Sequence, residues 1–136
     1  MAAFDHVAIE VPDLDAFVEA MTAGGLMRLL RRGTRTGSGQ RLAMLVDDHG
    51  QKVELIEGDA VRFLHLAFEV ADVDDTHSTL LGAGGGAVRA PHRIEPARAR
   101  SAVVRIAGVE VQLVRYDDDS PDVTRARPAG RVAADG

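Results

Sequence analysis

The sequence predicts an α+β domain built from two tandem βαβββ modules. Three observations predict it: an internal repeat, the same order of hydrophobic periods inside each repeat, and a length that suits one core. Residues 4–17 read FDHVAIEVPDLDAF and residues 63–76 read FLHLAFEVADVDDT. They are identical at Phe4/Phe63, His6/His65, Ala8/Ala67, Glu10/Glu69, Val11/Val70, Asp13/Asp72 and Asp15/Asp74. A second correspondence closes each repeat, with Gly50-Gln-Lys-Val-Glu54-Leu-Ile matching Gly108-Val-Glu-Val-Gln112-Leu-Val at almost the same offset. The halves are therefore colinear duplicates. A chain of 136 residues can bury one sizeable core but cannot form two large domains.

Each half begins with a strand, 6–11 and 65–70, where apolar and polar residues alternate and β-branched and aromatic residues are frequent. A helix follows each. Asp13 or Asp15 can cap one over about 14–21, and Asp72 or Asp74 can cap the other over about 75–81. Gly24-Gly25 and the glycine run from Gly82 to Gly86 stop them. That run follows a helix and has no Lys-Ser/Thr after it, so it is a terminator rather than a phosphate loop. Three strands come next in each half: about 27–32, 42–47 and 52–57, then 87–90, 101–106 and 110–116. Gly33 to Gly39 and Asp47-Asp-His-Gly50 read as hairpin loops, and Pro91-His-Arg-Ile-Glu-Pro96 as a wider one. Module one thus covers 1–60 and module two 61–116. Residues 117–136 are polar, contain Pro and Gly and lack an apolar period, which predicts a disordered tail.

Composition narrows the partners. Hydrophobic residues make up 46% and charged residues 27%, as in ordinary globular proteins. The net charge of −5 argues against nucleic acid and for a small molecule. The basic cluster Arg28, Arg31, Arg32 and Arg35 is short, broken by glycine and without interleaved aromatics, so it reads as a solvated hairpin. No stretch approaches the ~20 apolar residues that span a bilayer, and the N-terminus lacks a secretory pattern, so a cytoplasmic protein is expected. There is no cysteine, so any metal must be held by nitrogen and oxygen.

Strand alternation puts His6, Ala8 and Glu10 on one face and His65, Ala67 and Glu69 on the matching face of the second half. The closing strands add Lys52, Glu54 and Ile56, and Glu110, Gln112 and Val114, while Val53, Leu55, Val111 and Leu113 fill the opposite, outer face. A sheet face carrying His, Glu and Gln has to enclose something polar, because an unpaired buried carboxylate costs several kcal/mol. Two imidazoles, a carboxylate and an amide oxygen suit one divalent ion, with Zn²⁺, Ni²⁺, Co²⁺, Mn²⁺ and Fe²⁺ all admissible.

The aromatic-x-His-x-x-x-x-Val-x-Asp opening of each half and the Gly-x-x-apolar-Glu/Gln-Leu closing strand resemble the vicinal oxygen chelate superfamily over about residues 4–116. That superfamily includes glyoxalase I, methylmalonyl-CoA epimerase, extradiol dioxygenases and the fosfomycin- and bleomycin-resistance proteins. The resemblance implies a cupped, barrel-like mixed sheet with helices outside, and metal ligands on the first and last strand of each module. These fall on His6, Glu54, His65 and Gln112. The set is similar to that of the epimerases and of some glyoxalases, but the epimerases carry Gln in the first half and Glu in the second. Two further departures are Ile106-Ala-Gly108, where the family often has Asp-Pro-Asp-Gly, and a first helix whose usual aromatic pair is reduced to Phe17. The resemblance also implies a homodimer.

Glu10 and Glu69 lie about 13 Å along the strand from their histidines, near a cavity rim. Either, or Glu110 on the same inner face, could take an α-proton while the ion stabilises an enolate. The alternative for these glutamates is a salt bridge to Lys52 or to a rim arginine. His49, His77 and His92 fall in turns or on a helix and are expected at the surface. The activity expected is a metal-dependent isomerase or lyase, epimerase- or glyoxalase-like, acting on a small carbonyl or thioester substrate. The rivals are a metal-free drug- or metabolite-binding resistance protein and an Fe(II) extradiol dioxygenase.

Overall fold

A computed structural model describes residues 2–35 and 37–126. Eight strands form one mixed sheet in the order β2-β3-β4-β1-β5-β8-β7-β6. Module one comprises β1 (Ala2–Val11), α1 (Leu14–Ala23), β2 (Arg28–Thr34), β3 (Arg41–Val46) and β4 (Lys52–Glu57). Module two comprises β5 (Arg62–Val70), α2 (Val73–Gly82), β6 (Gly86–Ile94), β7 (Ala99–Ile106) and β8 (Val109–Tyr116). In each module the last strand returns parallel to the first, β4 beside β1 and β8 beside β5. The modules join through the antiparallel pair of β1 and β5. The first and last strands of both modules therefore occupy the centre of the sheet.

Helix starts follow from capping. Asp13 and Asp72, rather than Asp15 and Asp74, accept hydrogen bonds from Ala16 N and Asp75 N, both at 3.0 Å. The helices cover the outer face of the sheet. Leu14 and Val18 of α1 pack with Val11, Ala43, Leu45 and Leu55, and Val73 of α2 packs with Val70, Ala102 and Leu113. Such burial removes the apolar stripe of each helix from water. His77 belongs to this inner side of α2 instead of the surface, because it stands four residues after Val73 and three before Leu80, on the apolar stripe. No helix among the described residues is long and apolar enough to cross a membrane.

Two boundaries differ from expectation. The segment after Ala90 is not a loop: β6 continues through Pro91 to Ile94, and the turn is 95–98. Proline is tolerated there because β6 is an edge strand and its pairing with β7 is shifted between Arg89 and His92. The chain also does not leave the core at Asp117. Ser120 caps a short helix, α3 (Pro121–Thr124), and Ser120 and Asp122 are fully buried. Arg31 grips Asp122 with two hydrogen bonds, at 2.5 and 3.0 Å, and Arg93 grips Asp117 with another two, at 3.1 and 2.6 Å. These polar pairs, together with Val123 and Ala126 packed on two buried apolar clusters, hold the segment although it has no apolar period. Residues 127–136 of the expected tail lie outside the described residues.

Candidate metal centre

The concave side of the sheet encloses a cavity of about 940 Å³ lined from both modules, with His6, Glu54, His65, Glu110 and Gln112 in its wall. His6 Nε2 stands 3.9 Å from Glu54 Oε1, and His65 Nε2 stands 3.6 Å from the same oxygen. One ligand atom from each of these three residues lies within 4.8 Å of the other two.

The convergence depends on two β-bulges. Pairing between β1 and β5 slips at Asp5 in one strand and at Leu64 in the other, each the residue immediately before a histidine. A bulge bends its strand and re-aims a side chain. The pseudo-equivalent imidazoles consequently meet edge to face, with ring centres 5.5 Å apart.

The donor set fits a divalent cation. Both imidazole Nε2 atoms are buried and have no hydrogen-bond partner, an arrangement that usually costs 1–3 kcal/mol per group unless something ligates them. Burial, opposed by the Glu54 charge, holds the His65 pKa below its ordinary value and keeps the neutral form that binds metals. His6 Nδ1 meets Asp5 Oδ2 at 2.7 Å, the carboxylate–imidazole pairing that turns Nε2 toward a ligand. Gln112 Nε2 donates to Ser101 Oγ at 2.9 Å, so its NH₂ and not its Oε1 is the group engaged by Ser101.

Asp5 is the site residue that sequence reasoning missed. It is buried and also receives Lys52 Nζ at 2.9 Å and the Tyr116 hydroxyl at 2.5 Å. Burial pushes its pKa up, but the His6 hydrogen bond, the Lys52 charge and the Tyr116 hydrogen bond together outweigh this and hold it at about 2. Burial first, then the Asp5 charge, pushes the Tyr116 phenol well up, so it remains a donor. The Asp-His dipeptide was the available signal, yet strict alternation would have sent the two side chains to opposite faces.

The three glutamates weighed as bases have separate surroundings. Glu10 accepts from Ala60 N at 3.2 Å and pairs with Arg62 at 3.3 Å, packed against Gly58, where a Cβ would come within 2.3 Å of its Cδ. Among the described residues, neither Glu10 nor Glu69 lines the cavity. Glu110 does, and its partner is Arg105 at 3.0 Å, directly opposite it on β7, while Lys52 pairs with Asp5. His49 is exposed as expected, whereas His92 is half-buried in the cavity wall.

A curled eight-stranded sheet of two βαβββ modules is the fold of the vicinal oxygen chelate superfamily, as the resemblance in sequence implied. The solved structures this chain resembles include several methylmalonyl-CoA epimerases and a hypothetical protein from Bacillus halodurans. The enzyme from Mycobacterium tuberculosis is 23% identical, with 84% of this chain and 87% of that one covered at a TM-score of 0.73. A variant of the Streptomyces coelicolor enzyme in complex with 2-nitronate-propionyl-CoA is 25% identical, covering 86% and 96% at 0.71. A methylmalonyl-CoA epimerase in complex with methylmalonyl-CoA and NH4+ is 24% identical, covering 88% and 98% at 0.73. No family model matches the chain, and no curated protein matches it.

Proposed function

We propose that this chain is a metal-dependent isomerase of the epimerase type, acting on a small acyl thioester or related carbonyl compound. The observation that carries the reading is the meeting of His6 Nε2, His65 Nε2 and Glu54 Oε1 at one point, with both nitrogens buried and unpartnered. His6, His65 and Glu54 would hold the ion, with Gln112 as a fourth donor. A divalent ion there supplies Lewis acidity toward substrate oxygens and so favours loss of the adjacent proton.

Glu110 is the proposed base. It projects from β8 two residues before Gln112, on the same face and about 7 Å along the strand. Its carboxylate would take the α-proton as the C–H bond breaks, and isomerisation would be complete when water gives a proton to the opposite face of that carbon and the hydroxide so formed recovers the proton from Glu110. Arg35, Arg89 and Arg125 also line the cavity and have no carboxylate partner among the described residues. Arg35 and Arg125 instead donate to the neutral oxygens of Gln40 and Leu30, and three such charges without a described counter-ion favour a substrate bearing an anionic group.

The test is metal content together with exchange of the α-proton of acyl-CoA thioesters in D₂O. His6→Ala and His65→Ala should lose the ion and the exchange together; a double variant that keeps the ion removes the mechanism. The cavity volume favours one other reading, sequestration of an anionic small molecule without turnover. A protein that takes up no Ni²⁺, Co²⁺, Mn²⁺, Zn²⁺ or Fe²⁺ and exchanges no proton would support that reading instead.

A further inference from the structure

Resting on the metal reading of the site, we infer that Asp5 is a positioning residue: it fixes the tautomer of His6, making His6 the pre-organised ligand and His65 the adaptable one. Asp5 occupies the β1 bulge next to His6, and its two oxygens have separate duties. Oδ1 receives Lys52, whereas Oδ2 receives Tyr116 and His6 Nδ1. An ionised carboxylate only accepts, so His6 must carry its proton on Nδ1 and present a bare Nε2 to the cavity.

Lys52 precedes Glu54 by two residues on β4, and Tyr116 follows Gln112 by four on β8. One buried carboxylate therefore ties together β1, β4 and β8, the strands that carry His6, Glu54 and Gln112. The second module has nothing equivalent. Leu64 fills the matching bulge, and among the described residues no carboxylate meets His65 Nδ1. The duplication has kept the ligand and differentiated its support.

Asp5→Asn tests this because the amide is asymmetric. Lys52 can only donate, so the carbonyl oxygen stays with it and the NH₂ turns to His6 Nδ1. That forces the imidazole proton onto Nε2, the ligating atom. We expect Co²⁺ or Ni²⁺ affinity, measured by chelator competition on the full chain, to fall roughly 10–100-fold. Nitrogen-15 NMR of the metal-free protein should show His6 as the Nδ1–H tautomer in the wild type and Nε2–H in Asp5→Asn, with His65 unchanged as an internal control. Tyr116→Phe keeps the Asp5 contacts to His6 and Lys52, so it should lower the melting temperature while leaving affinity within about threefold of wild type. An Nε2–H tautomer of His6 in the wild type overturns the inference even if Asp5→Asn does not fold, as does unchanged affinity in that variant. A wild type that binds no ion but holds His6 as Nδ1–H defeats the metal reading alone.

Discussion

The rings of His6 and His65 stand 5.5 Å apart at 71° to one another, on neighbouring antiparallel strands of two duplicated modules. Neither Nε2 has a hydrogen-bond partner, and Glu54 Oε1 faces both. Two copies of one sequence position have been brought to a single point, and the consequences of the proposed metal site can be measured.

Glu54→Gln keeps the shape of the side chain and removes its charge. Ion affinity should fall by more than the roughly 10–100-fold that changes outside the ligand set produce. Gln112→Ala should cost less, because a neutral amide contributes less charge to the ion. Isothermal titration with Co²⁺ or Zn²⁺ ranks the two, and a larger loss for Gln112→Ala would reverse their assigned weights.

Glu110→Gln should leave the bound ion in place and lower α-proton exchange by about 10²–10⁴-fold, the usual worth of a positioned general base. Glu10→Gln and Glu69→Gln should leave exchange near the wild-type rate, since neither side chain lines the cavity. Their stability can still change, because Glu10 holds Arg62 and Ala60 N. A solvent-exchange assay on purified variants gives the comparison.

Removing one member of the Arg31–Asp122 pair leaves the other charge buried. Asp122→Ala should destabilise the fold by about 3–5 kcal/mol in urea unfolding. Replacing both residues with apolar side chains of similar volume should recover most of that loss. Equal damage from the single and the double replacement would show that the C-terminal segment is held by something else.

Asp5 makes part of the stability depend on acid. Its folded pKa of about 2 lies below the ordinary 3.8, so the unfolded chain takes up the proton first as the pH falls. The contribution, on the order of 2 kcal/mol, is complete above pH 4 or so and disappears as the pH falls toward 2. Asp5→Asn should be less stable at neutral pH and should show a flatter dependence over that window. Thermal melts of both proteins between pH 2 and pH 6 measure the difference.

Local pattern and duplication are properties of the linear chain. Matching His6 with His65 and Glu54 with Gln112 required only counting along it, and alternation was enough to send Leu55 and Leu113 outward. The short-range signals for both helices lay in Asp13, Asp72 and the glycines that follow. What packing alone decided was every feature that depends on distance in sequence or on a slipped register. The bulge at Asp5 adds one residue to a strand, and one residue reverses the face on which a side chain lies, so alternation could not place Asp5 beside His6. Lys52, Tyr116 and Asp122 meet beneath the site across 64 and 70 residues of chain, and His77 turns inward because α2 rolls that stripe onto the sheet. Pairings over such separations form because a buried charge must find its compensating donors or acceptors within the collapsed core, and those are in reach only when the strands are already side by side.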